Sequence, residues 1–556
     1  MSQVRIFALG GLDEDGKNMY LIEDQDEIFI LEAGSKYPDE EQLGVEIIIP
    51  DFSYLQENQT KIKGIFITHG HDDALGALAY LIKQIHIPIY TTALTAKIIE
   101  ANFKKNQITN YKLHVIKRSG SFKVGKREIR TFGLTMSIPD AFGIAIATSQ
   151  GYVVYTSEFI FDFDNKIEAF NCDVLELAEL GKENILCLLN ESTSANNPGF
   201  TAPGHKITDL IEAPFMEADE RIIITAYEQN IYRMIEIIEL AERLRKRIFF
   251  HDDDLRNLMI KIEKLGYYKL PAGIEILKGR FSNDLSDVVI IVSGRGPQVF
   301  RKMFKIAIGE DETVRLKKND TVVIGSPVAP GSEVEAAQME NELYKENVQV
   351  ISVSKKAMHS LHASAEDLKM MTYFLKPTYY MPVKGEYRHL IDNANIALNR
   401  GFYADKILVL DNGQIASFEN GKLKDMADVL TLEDVLIDGS ENLDASGFVL
   451  RDRLTLSTDG VIIVGIVIDF KTKDVIGGPD VQSRGLIYMK DADYITKDIG
   501  DIMEKTIATA VAEKRYDNMT ARMEAKDLIM KYLLKETGKR PMILPAIIEI
   551  NVAPGD

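Results

Sequence analysis

The sequence predicts a multidomain α/β protein: a stacked α/β sandwich, a parallel-sheet α/β unit and a small C-terminal α/β unit. Three observations predict it. Short runs rich in Val and Ile, bounded by Gly, Asp or Pro, crowd the first two hundred residues with helical segments between them. From about Ile207, longer amphipathic helices alternate with compact strands at the spacing of βαβ units. A polar stretch rich in Gly, Asp and Ser, Asp438–Ser446, then sets off a last apolar segment.

In chain order, Val4–Gly10, Met19–Ile22, Ile28–Leu31, Val45–Ile49 and Gly64–Thr68 read as strands. Ala74–Gln84 is apolar at helical spacing and reads as one helix. Leu113–Ile116, Ile129–Phe132, Gly143–Ala147 and Gly151–Tyr155 complete the first set of strands. Strands Arg221–Thr225, Val288–Val292 and Thr321–Ile324 alternate with helices Ile231–Arg245 and Asp254–Leu265. The Asp252–Asp254 triplet fits a helix N-terminus, where anions are favoured. Thr378–Pro382, Lys406–Val409 and Gln414–Phe418 return to the first style. The last unit reads as strand Gly460–Phe470, strand Gly485–Met489, two helices over about Asp498–Lys535, and strand Met542–Val552. The implied division is 1–206 and 366–435 for the sandwich, 207–365 for the inserted unit, 436–448 for a linker and 449–556 for the last unit.

The chain has 556 residues, 46% hydrophobic and 27% charged, enough apolar material for several cores. No stretch approaches the ~20 apolar residues of a membrane span, so no membrane partner is expected. The opening residues lack the pattern of a signal peptide, and the cysteines, Cys172 and Cys187, fit a reducing cytoplasm. The net charge of −19 excludes a generally basic nucleic-acid coat; RNA or DNA must be held locally. There is no internal repeat and no long charge block.

The chemistry concentrates in Ile65-Phe66-Ile67-Thr68-His69-Gly70-His71-Asp72-Asp73-Ala74. An apolar strand ends in a loop with two histidines and a carboxylate within five positions. Alternating histidines on an extended loop point the same way, so both can reach one metal at about 2 Å. With nine histidines in the whole chain, such clustering argues for a site derived from metal binding.

This loop resembles the His-x-His-x-Asp-His motif of the metallo-β-lactamase superfamily, with Ala74 at the last position. Gly10–Met19, Ser137–Asp140, Asn197–Phe200, Val383–Arg388 and Arg540–Pro545 resemble ribonuclease J across essentially the whole chain. Within that family the chain is most similar to the second, less active paralogue that some bacteria carry. The resemblance implies a metallo-β-lactamase αββα sandwich, an inserted β-CASP domain and a C-terminal appendage. It also implies two metal ions, zinc or manganese.

Carried over by resemblance, the first ion falls to His69, His71 and the position now Met136. The second falls to Asp73, the position now Ala74 and the position now Lys384, with Glu158 at the bridging carboxylate. Glu32 stands where the supporting aspartate of Asp-Ala-Gly would be. Alanine has no donor atom, methionine offers a soft thioether and lysine is a cation. The expectation is at most one zinc or manganese per chain, weakly held through His69, His71 and Glu158, or none. Two-metal hydrolysis is lost, and Asp73 and Glu158 keep only a residual catalytic role. Lys384 is expected to place its ammonium within ~4 Å of Asp73 or Glu158; the alternative is a side chain turned out to solvent.

The family's phosphate-holding segment appears as Met358-His359-Ser360-Leu361-His362, where Met358 and Leu361 replace a histidine and a glycine. Leucine blocks the close backbone approach that glycine permits. Asn230 and Arg233 retain an Asn-x-x-Arg pattern with Glu228 beside it, and Asp252–Asp254 opposes an RNA backbone. Glu191 reads as a bridge between loops, Cys187 as inert packing, and His86, His114, His205, His251 and His389 as structural or exposed.

The favoured reading is a ribonuclease J-type protein of messenger RNA decay and ribosomal RNA maturation. It would position RNA as a homodimer and in a hetero-oligomer with an active paralogue. The alternatives are a slow single-metal exo- or endoribonuclease, and a non-catalytic scaffold for decay factors. A small-molecule lactonase or thioesterase is disfavoured by the β-CASP insertion.

Overall fold

The structure is a computed structural model that describes residues 3–39, 42–279, 281–328, 331–353, 358–439, 441–442, 448–486 and 493–551. The chain divides into two compact units: Met1–Pro38 with Glu46–Ile437, and Asp39–Val45 with Asp438–Asp556.

The first unit is built on two facing sheets. Eight strands pair in the order Lys422–Asp425, Ala416–Glu419, Gln3–Gly10, Met19–Asp24, Glu27–Leu31, Ile62–Phe66, Pro88–Thr91, Lys112–Val115. Six more pair in the order Tyr379–Val383, Ile185–Glu191, Gly151–Tyr155, Phe142–Thr148, Arg127–Gly133, Gly120–Val124. Alternation at period two sorts their side chains between layers. Ile144 and Ile146 join Ile6, Ile22 and Phe66 between the sheets, while Ala145 packs with Leu180, Leu368 and Met371 of the helices outside. On the other flank, Leu78, Leu81, Ile82 and Phe103 cover the back of the first sheet. Two sheets with helices on both outer faces make an αββα sandwich.

Between the sandwich strands Ile185–Glu191 and Tyr379–Val383 lies the inserted part, with a parallel five-stranded sheet of its own. Its order is Arg247–Phe250, Val288–Gly294, Ile222–Tyr227, Thr321–Ile324, Gln349–Ser352. Strand Val288–Gly294 is buried throughout, as a parallel strand covered on both faces must be. In the second unit, Val461–Asp469 pairs antiparallel with Val475–Arg484 and parallel with Met542–Ile550. Helices Asp493–Ala512 and Asn518–Thr537 cover one face of that sheet.

Several expected elements differ. The helix expected over Ala74–Gln84 is two, Asp72–Leu75 and Leu78–Gln84, broken at Gly76-Ala77, where the Ala77 amide bonds Ala33 instead of the preceding turn. The strand expected at Lys406–Val409 is a 3-10 turn, Ala404–Lys406, with one bridge from Ile407 to Tyr380. Val435–Asp438, which overlaps the start of the expected linker, is a strand paired with Ile47–Ile49. Of that linker, residues 440 and 443–447 lie outside the described residues, as do 487–489 of the strand expected at Gly485–Met489. The strand Val475–Arg484 was not expected, because its Gly477-Gly478-Pro479 reads as a turn.

Candidate metal centre

Strand Ile62–Phe66 runs parallel to both of its neighbours and delivers Thr68 and His69 at its C-terminal end. There the chain is gripped by Glu32. The Thr68 amide donates to Glu32 Oε2 at 3.1 Å, and the Thr68 hydroxyl donates to Oε1. Burial pushes the Glu32 carboxyl up to about 8, against the pull of those two hydrogen bonds. Thr68 Oγ1 also lies 2.9 Å from His69 Nδ1, with Ser157 Oγ 3.3 Å away. These contacts fix the ring and leave Nε2 facing the carboxylates.

His69, His71, Asp73 and Glu158 each offer one donor atom, all within 4.8 Å of one another. His69 Nε2 is 3.8 Å from Asp73 Oδ1 and 3.9 Å from Glu158 Oε1; His71 Nδ1 is 3.7 Å from Glu158 Oε2. His69 Nε2 is buried and has no hydrogen-bond partner. Burial drives both imidazoles toward the neutral form that a metal needs, His69 down to about 3 and His71 down to about 4, although Asp73 pulls the other way.

Lys384 completes the cluster. Its Nζ lies 2.5 Å from Asp73 Oδ2 and ion-pairs with Glu158 Oε1, so the side chain turns inward and not to solvent. Burial alone would raise the Asp73 carboxyl, but Lys384 and the two imidazoles hold it well below the usual carboxylate range. The backbone makes this placement possible. Lys384 follows strand Tyr379–Val383 at φ +60°, its amide donates to Gly11 O at 2.9 Å, and its carbonyl accepts from Ser192 at 3.1 Å. Glu14 and Gly385 exchange backbone hydrogen bonds beside it. Asn18 in turn donates to Asp73 Oδ2 at 2.9 Å and to the Asp73 carbonyl at 3.0 Å. Gly34 is required here, since a Cβ would fall 1.6 Å from the Asp73 carbonyl oxygen.

The remaining ligand positions offer nothing to a metal. Ala74 is buried with only a methyl group, and Met136 packs among Leu94, Ile138, Ile231 and Met234. In the phosphate-holding segment, Met358 joins the same apolar cluster and Leu361 is buried. Ser360 is exposed and 3.3 Å from Ser194, while the His359 amide donates to Gly204 O. His362 Nδ1 lies 2.9 Å from Glu191 Oε2, and Glu191 also accepts from the amides of Phe159 and Ala363. Asn230 caps helix Ile231–Arg243 through the Arg233 amide, and Arg233 itself is buried.

Sequence reasoning missed the clamp over the loop. Arg295 pairs with Asp72 and Glu228, and His71 Nε2 lies 3.2 Å from the Gln229 carbonyl and 3.1 Å from Ser137 Oγ. Arg295 sits in Gly294-Arg295-Gly296, a turn with no signature to mark it.

Three family models match the chain: the metallo-β-lactamase superfamily over residues 12–145, the ribonuclease J β-CASP domain over 219–343 and the ribonuclease J C-terminal domain over 448–550. The chain is 32% identical over 550 residues to "Ribonuclease J 2" of Staphylococcus aureus (strain NCTC 8325 / PS 47), covering 98% of each chain. The identity and both coverages are the same for "Ribonuclease J 2" of Staphylococcus epidermidis. Among solved structures, a protein of unknown function from Enterococcus faecalis V583 shares the fold, with a TM-score of 0.52 and 14% identity over 75% of this chain and 100% of that one.

Proposed function

The chain belongs to the ribonuclease J family, and from that premise we propose that it is an RNA-processing protein whose metal site is held shut by its own lysine. It serves mainly to position RNA in messenger RNA decay and ribosomal RNA maturation, beside a catalytically intact paralogue. The observation that carries this reading is the Lys384 ammonium paired with both Asp73 and Glu158. Two-metal hydrolysis needs a pair of ions clamping the attacking and leaving oxygens. Here a fixed positive charge stands on the carboxylates of the second ion, and Ala74 and Met136 supply no replacement donors.

One ion is the most these residues fit. His69, His71 and Glu158 form a legitimate zinc set with Asp73 alongside, and the unpartnered His69 Nε2 supports it. Such an ion would polarise a phosphoryl oxygen. That observation also favours a second reading, a slow single-metal ribonuclease. In both readings the chain's own groups do the same local work. Asn18 fixes Asp73, Thr68 and Ser157 fix His69, and Lys384 neutralises the carboxylates.

The same reading takes the chain as cytoplasmic, a homodimer alone and a mixed oligomer with its paralogue. The sandwich comprises 1–206 and 366–435, the β-CASP domain 207–365 and the appendage 449–556, joined by the linker 436–448. No helix among the described residues is long and apolar enough to cross a membrane.

Elemental analysis of the purified protein, beside its nuclease rate with added manganese, tests the reading. We expect at most one ion per chain and a rate lower than that of a full-ligand relative by ~10³ or more. Two stoichiometric ions, or comparable rates on 5′-monophosphorylated RNA, would overturn it.

A further inference from the structure

Acidic residues outnumber basic ones by 84 to 65 over the chain, yet residues 97–130 hold ten Lys and Arg against two Glu. Hydrophobic and turn residues space these cations out, so no charge block shows in the sequence. Folding gathers them. The segment forms helix Ala93–Lys105 and strands Lys112–Val115, Gly120–Val124 and Arg127–Gly133. Lys112–Val115 is the last strand of the eight-stranded sheet, and Gly120–Val124 is the last of the six-stranded one. The basic residues therefore lie where both sheets of the sandwich end.

Side-chain contacts bring these two strands together. The Tyr90 ring stacks on His114 of one strand at 4.8 Å and on Phe122 of the other at 5.9 Å. Phe103 at the end of the helix packs on Tyr111 at 4.8 Å. Lys104, Lys105, Lys112, Lys117 and Lys123 are exposed and make no ion pair among the described residues, whereas Lys97 and Lys126 are paired with Glu100 and Asp26. The His114 ring is exposed among them.

Past Lys117 the surface runs into a cleft of about 890 Å³ whose wall carries Arg118, Lys166 and Lys269, three carboxylates (Asp140, Glu168 and Asp173) and two tyrosines (Tyr267 and Tyr268). Lys166 and Lys269 are exposed. Arg118 is already spent on the carbonyls of Ala141, Leu134, Glu168 and Asn171, which leaves the lysines as the mobile charges.

Bland explanations cover part of this. Lysine on an edge strand discourages strand pairing, and the helix dipole favours Lys104 and Lys105. Neither accounts for the near-absence of carboxylates from 34 consecutive residues of an acidic chain, nor for two exposed lysines, Lys166 and Lys269, on the tyrosine-bearing cleft beside them. Exposed lysines spaced along an edge, with flat rings between them, match the chemistry that holds single-stranded RNA through its phosphates and by stacking.

We propose that the edge formed by Lys112, His114, Lys117 and Lys123, continuing into the cleft at Lys166 and Lys269, is a docking surface for single-stranded RNA, separate from the His69 cluster. It rests on the RNA-positioning reading and supplies that reading with a place on the molecule. The contacts are to backbone and base faces, so the surface is sequence-tolerant and salt-sensitive.

The test is fluorescence anisotropy of a 20-nucleotide oligouridylate with the full chain at several salt concentrations. It compares the natural protein with Lys112→Glu/Lys117→Glu/Lys123→Glu, and with a control of equal charge change, Lys526→Glu/Lys531→Glu/Lys535→Glu, on helix Asn518–Thr537. All six side chains are exposed. The edge variant should bind at least tenfold more weakly, with a salt slope shallower by about 2 from the loss of three phosphate contacts, while the control stays within twofold. If natural protein and edge variant bind alike, the surface is wrong and the RNA-positioning reading stands. Equal losses in both variants would reduce the effect to net charge and also remove the surface. If the natural protein binds no RNA at all, both fall.

Discussion

Arg295 Nη1 lies 2.7 Å from Asp72 Oδ1, so a turn of the inserted part holds the loop that presents His69, His71 and Asp73. The same guanidinium reaches Glu228, and the Gln229 carbonyl lies beside His71. The loop is therefore positioned by two neighbouring elements, the Glu32 side below and the inserted sheet above.

Replacing this arginine should loosen the loop without unfolding the sandwich. For Arg295→Ala the local loss is about 1 kcal/mol, the upper range for a partly exposed pair. Hydrogen exchange at the amides of residues 71–76 should accelerate roughly fivefold, with the Ile62–Phe66 strand unchanged. Unaltered exchange in the loop would show that the guanidinium holds nothing.

Lys384→Met removes the countercharge from a buried pair of carboxylates. Breaking such a pairing by deleting one partner costs about 3 kcal/mol. Thermal unfolding of the variant should shift down by several degrees, and adding Asp73→Asn should recover part of the loss. A melting curve that does not move would mean that water already solvates the carboxylates.

The triple change Ala74→His, Met136→His and Lys384→His should restore metal binding. Putting an imidazole in place of Met136, inside an apolar cluster, costs stability in metal-free buffer, and zinc should return it through binding linkage. Mass-spectrometric metal content should rise above that of the natural chain. No gain in metal, with the fold intact by circular dichroism, would mean that the backbone around the site no longer fits an ion.

Acid stability has a specific contributor at Asp162. Burial opposes its ionisation, but His205, the Asp164 amide and the Tyr232 hydroxyl outweigh that and hold the carboxyl down at about 2. Its folded value lies below its unfolded value near 3.9, so the unfolded chain takes up the proton first. The stabilisation is complete above about pH 4 and fades as pH falls toward 2. Asp162→Asn should flatten that part of the acid-unfolding curve and leave a lower plateau at neutral pH. A parallel curve across the whole range would exclude the assignment.

Ending the chain after Gly439 should leave the first unit folded and weaken assembly. Strand Val435–Asp438 stays in place against Ile47–Ile49. What is lost includes the outer face of the C-terminal sheet, where Ile463, Leu544 and Ile548 are all exposed. Light scattering should report fewer subunits per particle than for the full chain, once the shorter chain's mass is allowed for. An unchanged number of subunits would place the contacts elsewhere.

Sequence legibility followed locality. Strands such as Gly151–Tyr155 and Thr321–Ile324 were readable to the residue because their β-branched runs end in turn residues. The break at Gly76-Ala77 was not readable, since Ala33, which captures the Ala77 amide, is remote in sequence. At the site, His69, His71 and Asp73 announce themselves by spacing, and Glu158 and Lys384 were located by motif resemblance. The Arg295 clamp left no such trace, and the lysine edge shows in the sequence only as a bias of composition over residues 97–130, without a motif. Both exist only through side chains brought together from distant positions or dispersed along several elements.

The parallel route of strand Tyr379–Val383 beside Ile185–Glu191 has a consequence for biosynthesis. Asp73 and Glu158 leave the ribosome with the first part of the sandwich, while Lys384 follows 226 residues after Glu158. At 5–20 residues per second that is a wait of roughly 10 to 45 s. During it the nascent chain carries the histidine and carboxylate cluster without its internal cation. That interval is when a divalent ion meets least competition for His69, Asp73 and Glu158. On the single-ion reading, translation speed through the inserted part is then a variable in whether an ion or Lys384 reaches those carboxylates first.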